Sequence, residues 1–114
     1  MSTIRVLCVE NQPHYLDILL VMLKATGYQV VSATTGIEAL MLFAQEGVHG
    51  VLLEYDLPDV VGSVVRSEMK RIRPDVPVLL FSGVGKQTEF LIRFFDAYLR
   101  NHEKPGWAYS DLDS

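Results

Sequence analysis

One cysteine, Cys8, is the only thiol in the chain, so no disulfide can form within it, and its place in an apolar run suits a buried structural thiol in a reducing compartment. No apolar run approaches the ~18 residues a membrane span needs, and the first residues lack a basic stretch leading into an apolar one. Cytoplasmic location without membrane contact is the expectation. Basic residues are few, 10 Lys and Arg against 14 Asp and Glu, and a net charge of −4 argues against nucleic acid as the main partner. The one basic cluster, Lys70, Arg71 and Arg73, falls at the end of a predicted helix, where cations complement the dipole. His14, His49 and His102 are scattered, none at metal-ligand spacing to another His or Cys. No G-x-S-x-G elbow surrounds Ser82, which excludes the usual hydrolase arrangement. Gly83-Val84-Gly85-Lys86 lacks the spacing of a phosphate loop and reads as a turn. Repeats, low-complexity tracts and linkers are absent too, so residues 1–114 are expected to form one domain.

What is present is an ordinary globular composition, 49% hydrophobic and 21% charged, arranged as alternating strand and helix patterns. Ile4 to Val9 is β-branched and apolar and reads as a central strand. Pro13 suits the first turn of a helix whose apolar positions, Tyr15, Leu16, Leu19, Leu20 and Leu23, recur until Gly27 ends it. Tyr28 to Ala33 predicts a second strand. Thr35 then predicts a cap for a helix that buries Ile37, Leu40, Met41 and Ala44 and stops at Gly47. Val51 to Leu53 is a third strand, continuous enough in apolar character to be covered on both faces. Ser63 to Ile72 predicts a third helix with Val64, Val65 and Met69 inward, and Pro74 to Pro77 a turn into a fourth strand, Val78 to Phe81. Repeated strand–helix units imply a parallel sheet with right-handed crossovers, an α/β fold of flavodoxin-like, doubly wound type.

In such sheets chemistry collects at the carboxyl ends of the strands, and Glu54 stands at one of them. The segment Val51 to Gly62, VLLEYDLPDVVG, joins an apolar strand to an acidic residue, then Leu57-Pro58, then Gly62. Glu10-Asn11 follows the first strand and Ser82-Gly83 the fourth. These residues, in this order and separation, resemble the receiver domains of two-component response regulators (CheY-like) over about residues 3–105, with 106–114 left as a tail. The resemblance implies that Glu54 occupies the phosphoacceptor position, where the family has Asp. It implies that Glu10 and Asn11 stand where the family's acidic pair holds Mg²⁺, with the Asp56 backbone carbonyl as a further ligand, and that Ser82 contacts the phosphoryl group. The family's phosphoryl-binding Lys falls either on Asn101 or on Lys104, according to how the last segment aligns.

That last segment admits two readings. Phe90, Leu91, Phe94, Phe95, Tyr98 and Leu99 recur with a helical period, so one helix from about Thr88 past Leu99 is possible. The resemblance favours a short helix, Thr88 to Phe95, followed by a strand at Ala97 to Arg100. Pro105-Gly106 breaks the pattern, and Trp107 and Tyr109 supply too few apolar positions for the final helix that receivers carry, so the fold is expected to be truncated or altered at its C-terminal strand and helix. Apolar sheet surface would then lie bare. A homodimer through residues 86–109 is the corresponding expectation, with exchange of that segment as one way to form it.

Physical chemistry sets the functional expectation. Mg²⁺ demands near-octahedral oxygen ligation at ~2.0–2.1 Å. Asn11 offers only a neutral oxygen, and the longer Glu54 side chain reaches into the space of metal or phosphoryl group. A nucleophile displaced by about 1 Å loses ~10²-fold in rate. Mg²⁺ binding at Glu10, Glu54 and the Asp56 carbonyl is therefore expected to be weak or absent. The chain reads as a pseudo-receiver that is not an enzyme and acts through contacts with a histidine kinase or other signalling protein. The alternatives are a Mg²⁺-dependent receiver still phosphorylated at the active edge and, more remotely, a flavodoxin-like small-ligand binder.

Overall fold

The computed structural model describes residues 3–83 and 87–102, with the backbone alone for His102. Four strands, β1 (Arg5–Val9), β2 (Gln29–Ala33), β3 (Gly50–Glu54) and β4 (Val78–Phe81), form one parallel sheet in the order β2-β1-β3-β4. Helices α1 (Pro13–Ala25), α2 (Gly36–Gln45) and α3 (Gly62–Ile72) make the crossovers, and α4 (Thr88–His102) follows β4.

Strand alternation divides the core into two layers. Leu7, Val9, Val51 and Leu53 face Ala39 and Phe43 of α2 and Val65 and Met69 of α3. Val6, Cys8 and Leu52 face Leu16, Leu19 and Leu23 of α1 and Ile92, Phe95 and Leu99 of α4. All five residues of β3 are buried, as a strand covered on both faces requires. Pro13 opens α1, and Gly27, at φ +106°, closes it in the left-handed conformation with its N–H on the Lys24 carbonyl at 2.9 Å.

The last segment departs from the expected helix and strand. Thr88–His102 is one helix, and no strand occurs at Ala97 to Arg100. The periodicity of the segment's own apolar residues prevailed: Ile92, Phe95 and Leu99 recur at helical spacing and all three are buried. The helix lies beside α1 on the sheet face that was expected to be bare. Leu99 packs so closely on Gly50 that a Cβ there would fall 2.3 Å from Leu99 Cδ2. Within one chain, α4 itself thus covers this face of the sheet. A flavodoxin-like sheet runs 2-1-3-4-5, and the described residues contain no fifth strand.

Among the described residues β4 is therefore an edge. One of its outward carbonyls is covered, Arg66 Nε donating to that of Val78 at 3.0 Å, and just before the strand Lys70 Nζ donates to the carbonyls of Val76 at 2.8 Å and Pro74 at 3.1 Å. Cations one helical turn apart on α3 thus blunt the edge against strand pairing. The basic cluster is correspondingly busier than a dipole complement. Arg71 pairs with Glu68, while Arg73 crosses to the end of α2, donating to the Phe43 carbonyl and lying over the Phe43 ring at 4.3 Å.

Candidate functional site

The carboxyl ends of β1 and β3 bring Glu10 and Glu54 together in a cleft of about 230 Å³ lined also by Asn11, Gln12, Tyr15, Asp56 and Gly83. Both carboxylates are almost wholly buried, Glu10 at 1% and Glu54 at 5% exposure. Each turns back on its own loop. Glu10 Oε2 accepts the Gln12 N–H at 3.0 Å, and Glu54 Oε2 accepts the Asp56 N–H at 3.0 Å. Glu10 Oε1 has no hydrogen-bond partner among the described residues. Burial above all, with the Glu54 charge adding, pushes the Glu10 carboxyl above its ordinary range, against the opposing pull of the Gln12 and Asn11 N–H groups.

Asn11 decides what the cleft can hold. Oriented to satisfy its neighbours, its amide nitrogen donates to Glu10 Oε2 at 3.2 Å and to the Asp56 carbonyl at 3.1 Å. Those two acceptors are ones a divalent cation would need. In that orientation a neutral N–H donor bridges them, and among the described residues no group of three or more His, Cys, Asp or Glu side chains is placed to hold a metal. Ligation of Mg²⁺ there would require the Asn11 amide to turn its oxygen, a neutral ligand, toward the cleft in place of its nitrogen.

Ser82 follows β4 and is exposed. Asn101 lies in the last turn of α4, two residues past Leu99, which packs on Gly50 at the amino end of β3. That end of the sheet is opposite to Glu54, so Asn101 does not stand at a phosphoryl-binding place. Lys104 lies outside the described residues, as do Trp107 and Tyr109. His49 Nδ1 accepts the Arg5 N–H at 3.0 Å, a structural contact at the far end of β3. Cys8, sealed in the core, has its thiol pushed up to about 12 by burial and the charge of Glu10, which makes it inert.

The sequence reading missed Asp59. Its carboxylate crosses from the β3–α3 loop to the start of α2 and accepts the N–H groups of Gly36 at 2.8 Å and Ile37 at 2.9 Å. Those bonds hold its carboxyl below the usual range. Gly62 anchors the other end of the loop: a Cβ there would meet the Glu54 carbonyl oxygen at 2.5 Å. The loop carrying Asp56 is thus pinned at both ends. Within its own stretch of sequence, LPD looks only like a turn, and no local signal marks a partner so distant in the chain.

A parallel doubly wound sheet with an acidic cleft over its first and third strands, closed by a Leu-Pro loop, defines the receiver class. The profile of the response regulator receiver domain matches residues 6–101, and the chain belongs to that family. A probable transcriptional regulator ycf27 of Porphyra purpurea is 30% identical over 82 residues, covering 72% of this chain and 33% of that protein. The DNA-binding dual master transcriptional regulator RpaA of Synechocystis is 30% identical over 95 residues, 82% of this chain and 39% of that protein. The chain spans about a third of the length of these relatives. Among solved structures, a CheY-like receiver domain protein of Methanospirillum hungatei superimposes with a TM-score of 0.70 at 24% identity, covering 86% of this chain and 76% of that one. The response regulator TrrA of Thermotoga maritima, solved in complex with Mg²⁺ and BeF, gives 0.70 at 25% identity, covering 81% and 80%. Receiver domains as a class are signalling modules of two-component systems rather than enzymes. No helix among the described residues is long and apolar enough to cross a membrane.

Proposed function

We propose that this receiver domain is a pseudo-receiver, a two-component module whose acidic cleft is held shut by its own side chains and which signals through protein contacts rather than phosphoryl transfer. The observation that carries this reading is the Asn11 amide bridging Glu10 Oε2 and the Asp56 carbonyl, the acceptors a metal would take. The Glu54 carboxylate adds to it, since its Oε2 is tied back to the Asp56 N–H within the cleft. A domain of residues 1–114, working in the cytoplasm with a histidine kinase or another signalling protein as its partner, completes the proposal.

The test is intact-mass spectrometry after incubation with Mg²⁺ and a small phosphodonor such as acetyl phosphate. The unaltered chain is expected to stay unlabelled, while the double variant Glu54→Asp with Asn11→Asp, which restores nucleophile length and ligand charge together, acquires a phosphoryl mass. A phosphoryl adduct on Glu54 of the unaltered chain would establish the opposite reading, a receiver still phosphorylated at its active edge.

A further inference from the structure

At the amino ends of the strands, opposite the acidic cleft, the chain encloses a second hollow of about 410 Å³. Its walls come from residues that lead into three strands, Ile4 before β1, Val48 before β3 and Pro77 before β4, and from Leu99 of α4. Val48 belongs to one layer of the core, and Ile4 and Leu99 to the other, so the hollow is a gap where the two layers meet beyond the end of the sheet. Apolar walls facing such a gap forgo the dispersion contacts that close packing would give them. Two charged side chains share the lining, the guanidinium of Arg73 and the carboxylate of Asp75.

The direction of α4 says what reaches this hollow. The helix ends at His102, and Leu99, part of the wall, stands about 4.5 Å before that end, so α4 delivers the residues that follow it to the hollow itself. Five residues lead from His102 to Trp107, a reach of up to about 17 Å. Between them falls Pro105-Gly106, a pair suited to turning a chain back, and Trp107 is the first large apolar side chain after Leu99. The chemistry agrees with the geometry. An indole is a broad apolar plate with a single N–H, which takes a hydrogen-bond partner when buried. The hollow offers apolar walls for the plate and the Asp75 carboxylate as an acceptor for the N–H. Arg73 lies 4.3 Å from the Phe43 ring centroid, and the opposite face of its planar guanidinium suits a second aromatic ring. A tether this short also holds the indole at an effective concentration on the order of millimolar, which favours it over a separate molecule at micromolar level.

We propose that Trp107 seats its indole in this hollow of its own chain, against Ile4, Val48, Pro77 and Leu99, with its N–H on the Asp75 carboxylate. The contact ties the segment after α4 to the amino end of the sheet and closes the gap between the two core layers. It lies at the opposite end from Glu10 and Glu54, so it stands or falls separately from the pseudo-receiver reading.

Trp107 is the one tryptophan of the chain, so tryptophan emission reports this residue alone. In the native full chain the emission is expected to be blue-shifted from that of the urea-unfolded chain, with acrylamide quenching reduced several-fold, and neither should change with protein concentration. Nuclear Overhauser contacts should join the indole protons to the methyl groups of Val48 and Leu99. Gly47→Phe fills the hollow from within, since Gly47 lines it, a Cβ there meets nothing within 4 Å, and its backbone is outside the left-handed region. That variant should keep its circular dichroism while the emission moves to that of an exposed indole and quenching rises several-fold. Exposed emission in the unaltered native chain overturns the proposal, as does shielded emission without the contacts to Val48 and Leu99. Shielding that persists in a folded Gly47→Phe variant places the indole elsewhere and overturns it too. Shielding that grows with concentration assigns the hollow to a second copy and overturns the contact within one chain. Should Gly47→Phe fail to fold, the Overhauser contacts of the unaltered chain decide the matter.

Discussion

The packing of Leu99 on Gly50 gives the sharpest check on how α4 lies, because each residue limits the other. Leu99 is 4% exposed, and its truncation to Ala is expected to cost about 3 kcal/mol, transfer and cavity together. Gly50→Ala puts a methyl group 2.3 Å from Leu99 Cδ2, an overlap that a side chain can yield to only in part, so about 2 kcal/mol is expected. Independent effects would sum to about 5 kcal/mol. In the double variant the new methyl enters room that Leu99 has vacated, and the loss should stay near about 3 kcal/mol, a coupling of about 2 kcal/mol. Urea unfolding resolves this: with a slope of about 1.5 kcal/mol/M, the midpoint falls by about 2 M for Leu99→Ala, about 1.3 M for Gly50→Ala and again about 2 M for the pair. Additivity of the two single changes would refute the close approach of α4 to the amino end of β3. It would also reopen the strand once expected at Ala97 to Arg100.

Glu10→Gln tests the buried carboxyl. Because its folded pKa lies above the ordinary value of 4.5, the native state binds the extra proton, so this group's contribution favours folding at low pH and is lost as pH rises from 4.5 through the folded value. In buffer containing EDTA, the Gln variant should therefore gain stability relative to the unaltered chain as pH rises towards neutrality; denaturation midpoints that run parallel across this range would contradict the raised pKa. Arg66→Ala removes the cap from the Val78 carbonyl on the β4 edge, and a loss of about 1–2 kcal/mol, with faster aggregation on heating, is expected. Unchanged aggregation would mean that the edge is protected by something other than its cations.

Where the sequence was readable, local physics was enough. Strands β1 to β4 were visible as apolar runs between turn residues, and α1 to α3 as helical stripes with Pro13, Thr35 and Gly27 at their ends. In the last segment the residues' own period pointed to a helix while the family resemblance pointed to a strand, and the period prevailed. A run that buries Ile92, Phe95 and Leu99 at helical spacing gains one continuous contact with the sheet, which a strand alternating its faces would forfeit. The exposed face of α2 was misjudged for a related reason. Ile37 and Met41 were expected inside and are 57% and 56% exposed, because Ala39 and Phe43 set the buried face and periodicity alone does not choose between two apolar stripes.

The sequence by itself determined the layered parallel fold and the convergence of Glu10, Asn11 and Glu54, since strand order and the two-residue alternation of strands carry those residues to one edge. Only the tertiary structure decided what they do there. The Asn11 amide, oriented to satisfy its neighbours, lies across Glu10 and the Asp56 carbonyl, Asp59 fastens the loop to α2, and Arg66 and Lys70 cover carbonyls in and just before β4. Most of these bonds join residues of separate elements or loops, and each depends on a donor and an acceptor that the folded chain brings within 3.2 Å. A hydrogen bond is decided by such distances and angles, which no spacing along the chain records.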